Sequence, residues 1–118
     1  MRSLHWILGP AFAAVLATMP LADVKAQEKV IQVTAERFKF TPSDIELKLG
    51  EPVMIELTTL DRKHGFQVPD LNVDETVEPG RVTRVHLVPA KAGTFLFHCT
   101  VFCGSGHEDM AGEIVVKP

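Results

Sequence analysis

Between Val30 and Val116 the chain is a succession of short apolar–polar alternations cut by proline and glycine. Val30–Ala35, with Phe38 and Phe40 following on alternate positions, is the first, and Pro42-Ser43-Asp44 ends it. Ile45–Lys48 comes next, then Val53–Thr58 after Gly50-Glu51-Pro52, Arg81–Val88 before Pro89, Thr94–His98 after Gly93, and Glu113–Val116. A period of two places one apolar face against a core and leaves the other to solvent. Runs of this length at roughly 8–12-residue spacing belong to sandwiches and barrels. No window carries the 3.6-residue period of an amphipathic helix, and Asp61–His64 and Leu71–Val73 read as loops. The expected fold is all-β, a Greek-key β-sandwich that buries the inward faces of two sheets.

The first 26 residues read differently. Met1-Arg2 gives a basic start, Trp6 to Met19 is mostly apolar, and Val24-Lys25-Ala26 offers a cleavage site before Gln27. These are the three parts of a secretory signal. The apolar run, interrupted by Gly9 and Pro10, falls short of the ~20 residues of a membrane-spanning helix; an uncleaved anchor is the alternative. The expected division is a signal peptide over 1–26 and one domain over 27–118, placed in the periplasm or otherwise exported. Those 92 residues suffice for one core and carry 10 basic and 14 acidic side chains, a formal −4. That balance argues against nucleic acid and leaves room for a basic protein partner. No later segment could cross a bilayer. The only tryptophan is Trp6 and there is no tyrosine, so strong visible colour in the mature protein would have to come from a cofactor.

The chemistry is concentrated between residues 99 and 110. Cys99 and Cys103 are the only cysteines, and His107 and Met110 follow in the same loop. Thiolate, imidazole and thioether are the donors that select copper over magnesium, calcium or manganese. Three other readings compete. A disulfide in an oxidising compartment would use the cysteines but leave His64, His107 and Met110 unexplained. Zinc could take Cys99, Cys103, His107 and His64 as a tetrahedral set, but a thioether is a poor ligand for it. A redox-active cysteine pair of the Sco type needs a thioredoxin-like frame, and no helices are present for one. A single-copper blue site uses one cysteine, two histidines and a weak methionine, which would leave one cysteine over.

The pattern C-x3-C-x3-H-x2-M, preceded by an isolated histidine in Asp61–Pro69 and by the turn Val77-Glu78-Pro79-Gly80-Arg81, resembles the CuA-type cupredoxin domain of cytochrome c oxidase subunit II and of nitrous oxide reductase. The resemblance covers most of residues 30–117. It implies two copper ions bridged by the thiolates of Cys99 and Cys103, with imidazoles from His64 and His107, a weak thioether from Met110 and the backbone carbonyl of Val101. It implies a one-electron carrier with a redox partner such as a c-type cytochrome or a membrane oxidase. The alternative is a copper carrier that delivers Cu(I) to a membrane oxidase. Phe95, Phe97 and Phe102 are expected to keep water from the metal, while His86 and His98 are expected to face solvent.

Departures from the family pattern are informative. Val101 stands where oxidase domains carry a metal-contacting glutamate, and only Phe38 and Phe40 could replace their Trp- and Tyr-rich docking patch. No pair of membrane helices precedes the domain, and the large catalytic domain of nitrous oxide reductase is missing. These features point to a free-standing copper protein. Nothing in the sequence marks an enzyme.

Overall fold

The computed structural model describes residues 28–118, and before them only positions 3, 9 and 14. The expected signal segment therefore lies outside the described residues, apart from those three positions. Nine strands follow: β1 (Lys29–Glu36), β2 (Lys39–Thr41), β3 (Asp44–Lys48), β4 (Val53–Thr59), β5 (His64–Val68), β6 (Val73–Val77), β7 (Thr83–Leu87), β8 (Gly93–His98) and β9 (Ala111–Lys117). They form a four-stranded sheet in the order β2-β1-β4-β7 and a five-stranded sheet in the order β3-β9-β8-β5-β6. The β1–β4 and β3–β9 pairs are parallel and the others antiparallel. Parallel neighbours cannot be joined by a hairpin. The chain leaves the first sheet after β2, lays β3 into the second, and returns for β4, so each sheet is knitted from distant parts of the sequence.

The alternation sets the register. In the first sheet Val33 stands beside Leu57 and Ile55 beside both Ile31 and Val85. In the second, Ile114 lies between Ile45 and Phe95, and Leu47 pairs with Val116. All of these but the half-buried Ile31 are buried between the sheets. A one-residue slip would turn a whole apolar row to solvent. At the metal-loop end the core is aromatic. Phe40, Phe66 and Phe97 meet with ring centroids 4.9–5.8 Å apart, two of the three pairs edge-on.

Two strands begin at the last residue of the segments that read as loop, Asp61–His64 and Leu71–Val73. His64–Val68 is β5, and Val73 opens β6 after a 3-10 turn over Pro69–Leu71. β5 is a central strand interrupted by Gly65 and Gln67. β6 is an edge strand with only Val73 and Val77 buried and Asp74, Glu75 and Thr76 exposed. Neither has the repeated alternation that marks a strand, and both form because a neighbouring strand supplies hydrogen bonds. The Arg81–Val88 run is shortened to Thr83–Leu87, since Arg81 is held in the Pro-Gly reversal by its N–H donating to the Glu78 carbonyl at 3.2 Å. Among the described residues no helix is long and apolar enough to cross a membrane.

Candidate metal centre

The loop from Cys99 to Met110 joins β8 to β9 and is pinched at its base. The last ladder pair is His98 with Ala111, and the Cys99 N–H then donates to the Met110 carbonyl at 3.0 Å. Tied there, both ends are as rigid as the sheet. Within the loop a 3-10 turn over His107–Asp109 is supported by the His107 N–H to Gly104 and the Met110 N–H to His107, both at 3.2 Å. This folds His107 and Met110 back toward Cys103.

The sequence-predicted residues come together. One donor atom each from His64, Cys99 and Cys103 lies within 4.8 Å of the others. The donors fall into two groups. His64 Nδ1 faces Cys99 Sγ at 3.9 Å, and the Val101 carbonyl oxygen lies 3.2 Å from the same sulfur. His107 Nδ1 and Met110 Sδ face Cys103 Sγ at 3.7 and 3.8 Å. His64, Cys103 and Met110 are wholly inaccessible to solvent, and His107 is half-buried. Both cysteines are free thiols.

His64 is the one candidate from outside the loop, and two features place it. The first is Asp61, three residues earlier, whose Oδ1 lies 2.7 Å from His64 Nε2. A carboxylate only accepts, so the proton sits on Nε2 and the Nδ1 lone pair is left facing Cys99. Asp61 also accepts the N–H groups of Arg62 and Arg37 at 2.6 and 2.8 Å. Partial burial pushes its carboxyl up, but the hydrogen bonds from His64, Arg37 and Arg62 prevail and hold it well below the usual carboxylate range. With the folded value depressed, this group adds to stability above about pH 4, and the contribution is lost as the pH falls. The second feature is Gly65, whose N–H donates to Cys99 Sγ at 3.3 Å. A Cβ at Gly65 would stand 2.8 and 2.9 Å from the backbone nitrogens of Thr100 and Val101 and against the Thr100 hydroxyl. Only a glycine lets β5 press this closely on the ligand loop.

Burial pushes the Cys103 thiol up, and the neighbouring Cys99 adds to the effect, while Arg62 works against it. A metal would have to displace that proton, so uptake here is coupled to proton release. The chemistry of the donors fits copper. Two thiols, two imidazoles and a thioether converge, with His64, Cys103 and Met110 inaccessible to solvent and a carbonyl as the only hard donor.

Several sequence expectations are refined. Phe95 and Phe97 are core residues, as their alternation implies. Phe102 is not a shield: it is 71% exposed, because the turn that brings Cys99, the Val101 carbonyl and Cys103 inward throws residue 102 outward. Its ring lies 5.8 Å from that of His107. His98 is half-buried rather than solvent-facing, whereas His86 is exposed and pairs with Glu28 at 3.1 Å. Glu108 and Asp109 are exposed. Phe40 belongs to the core, and Phe38 lies over Gly104 and Gly106, where added side chains would strike its ring. Sequence reasoning passed over Asp61; the D-x-x-H spacing at the mouth of a strand was the available signal.

Asp61→Ala should weaken copper binding by about 10–100-fold, the usual cost of removing a carboxylate that orients a ligating histidine. Competition against a Cu(I) chelator measures it, and unchanged affinity would mean that Asp61 does not orient His64.

A sequence profile of the cupredoxin-like domain matches residues 9–116. Among curated proteins, cytochrome c oxidase subunit 2 of Thermus thermophilus is 36% identical over 87 residues, which cover 74% of this chain and 64% of the relative. Nitrous-oxide reductase of Cupriavidus necator is 33% identical over 91 residues, covering 74% of this chain and 14% of that protein. A chain of a heme-copper terminal oxidase dimer determined by cryo-EM superposes with a TM-score of 0.70 at 28% identity, over 80% of this chain and 68% of the other. The chain thus spans less than two-thirds of the length of these two curated relatives. The resemblance seen in the loop motif extends through the sandwich that carries it.

Proposed function

The chain belongs to the cupredoxin-like family, and on that footing we propose that it is an exported copper protein with a binuclear, CuA-like centre, acting as a one-electron carrier rather than an enzyme. The observation that carries this reading is the buried cluster of His64, Cys99 and Cys103, with His107 and Met110 packed against the second sulfur. Cys99, Cys103, His64, His107, Met110 and the Val101 carbonyl would hold the copper, which would supply a one-electron redox couple when bound.

The residues of this chain provide the rest. The Cys99–Met110 hydrogen bond and the β8–β9 ladder hold the loop ends at fixed separation, so the donors need not move when the charge changes. Asp61 keeps the His64 proton on Nε2 and Nδ1 available. Phe66 and Phe97, buried on the strands that lead to His64 and Cys99, would help keep water from the site and set its potential. Half-buried His107, beside exposed Phe102, would offer a route for an electron to and from a partner, such as a c-type cytochrome or a membrane oxidase. Residues 1–26 would direct export and 27–118 would be the working domain in the periplasm.

Loading the 27–118 domain with copper and recording its visible and electron paramagnetic resonance spectra against a copper-to-protein ratio tests the proposal. A purple, mixed-valence signal with two coppers per chain is expected. A colourless protein holding a single Cu(I) would overturn the binuclear reading in favour of copper delivery. Preference for zinc would overturn both.

A further inference from the structure

Four cations lie in or beside the β1–β2 and β4–β5 connections, and they are disposed unequally. Arg37 lies in the β1–β2 turn with Lys39 just beyond it, and Arg62 and Lys63 lie in the β4–β5 loop. The lysines are paired, Lys39 with Glu36 at 3.2 Å and Lys63 with Glu78 at 4.0 Å. Neither arginine is in an ion pair among the described residues, and both are exposed. Both lie beside the ligand loop at neighbouring residues, Cys103 and Gly104. Arg62 Nη1 lies 3.5 Å from the Cys103 carbonyl oxygen, and Arg37 Nε lies 3.9 Å from where a Cβ on Gly104 would stand.

This convergence is built. Asp61 takes the backbone N–H of Arg37 on one oxygen and that of Arg62 on the other, so one carboxylate fixes the roots of both side chains. That carboxylate also faces His64, and Glu36 and Glu78 face the lysines. Asp109 and Asp44 line a groove with Phe38 and Lys39. The Asp61 carboxylate is already engaged by the two backbone N–H groups and by His64, so neither guanidinium has a carboxylate of its own among the described residues, and a planar guanidinium is the side chain best shaped to take one on two parallel hydrogen bonds.

We propose that Arg37 and Arg62 form an anion-receiving patch over the Cys103–Gly104 peptide, the place where an acidic face of the redox partner docks. The sign is opposite to that of the whole domain, whose formal charge is −4. The acidic remainder repels such a partner elsewhere and leaves this edge as its point of approach. A partner seated here lies against the backbone of Cys103, with Arg62 on the peptide that carries the sulfur. The inference rests on the electron-carrying reading above for its purpose, though the patch itself can be tested without metal.

Two measurements separate the two ideas. In the first, the reduced, copper-loaded protein is oxidised by hexacyanoferrate(III). One electron passes to give hexacyanoferrate(II), and no proton moves. If the patch directs approach, the second-order rate falls as ionic strength rises, as for opposite charges. It drops several-fold in the double variant Arg37→Gln/Arg62→Gln and recovers in Arg37→Lys/Arg62→Lys. A role in packing alone would not show the salt dependence or the lysine rescue. The visible spectrum and copper ratio of each variant show whether its centre is intact. In the second, the metal-free protein is titrated with redox-inert hexacyanocobaltate(III). Saturable amide shifts are expected at residues 37, 62 and 104, and their loss in the glutamine variant. A hexacyanoferrate rate that rises with salt, as the net charge alone demands, or shifts absent from these residues, would overturn the patch. A protein that takes up no copper yet shows the shifts would retain the patch and lose the electron-carrier reading.

Discussion

Cys103→Ser is expected to abolish the visible colour of the copper-loaded protein and to reduce its copper content from two ions per chain to one or none. The two cysteines are not equivalent. His107 and Met110 face Cys103, at 3.7 and 3.8 Å, while Cys99 has His64 and the Val101 carbonyl beside it. A serine hydroxyl is a hard donor that keeps its proton at neutral pH, and it cannot bridge soft ions as a thiolate does. Removing the Cys103 sulfur deprives His107 and Met110 of the thiolate they face. Cys99→Ser is different. It leaves Cys103, His107, Met110 and the nearby His64, which is the donor composition of a single-copper blue site. That variant should bind one copper and absorb as a blue protein without mixed-valence hyperfine structure. Metal analysis with electron paramagnetic resonance distinguishes these outcomes. If either variant kept two coppers and the mixed-valence signal, bridging thiolates would be wrong.

The largest effect on the scaffold is expected at Phe97. Its side chain is wholly buried, packs against Phe40 and Phe66, and occupies the space that the missing side chain of Gly112 leaves open. Phe97→Ala removes the ring and leaves a cavity that neighbours on two sheets cannot close together, at a cost of about 3–5 kcal/mol. For a single domain of ordinary stability that is a large fraction of the total. Leu96→Ala, one position along the same strand but 65% exposed, should change stability by no more than about 0.5 kcal/mol. Urea unfolding of the metal-free proteins measures both. A loss below about 1 kcal/mol at Phe97 would mean that the aromatic trio is not the keystone beneath the ligand loop.

How far the sequence could be read depended on what each residue answers to. The strands with two or three buried alternating residues, such as Ile45–Leu47 and Val53–Leu57, announce themselves because burial of one face is a local property. β5 and β6 do not, because Gly65 and Asp74–Thr76 are tolerated only through pairing with strands elsewhere in the chain. At the site, Cys99, Cys103, His107 and Met110 were legible from their spacing, and His64 from its isolation before a matching segment. Phe102 was misjudged because apolar character says nothing of direction inside an irregular loop. Asp61 carried a local signal, its spacing to His64, whereas the roles of Gly65 and the two arginines are relations to residues about 20 to 40 positions away in the chain.

The parallel pairing of β3 with β9 joins residues 44–48 to 113–117, nearly the two ends of the sandwich. The base of the ligand loop is closed locally by β9 against β8, but β9 is fixed on both edges only once it has also found β3, laid down near the beginning. Contacts of such separation are late and slow to form. A chain emerging stepwise through a membrane would have its thiols ready long before it had a site to put them in. Metal should therefore arrive after folding is complete, and until then the two sulfurs need protection from each other.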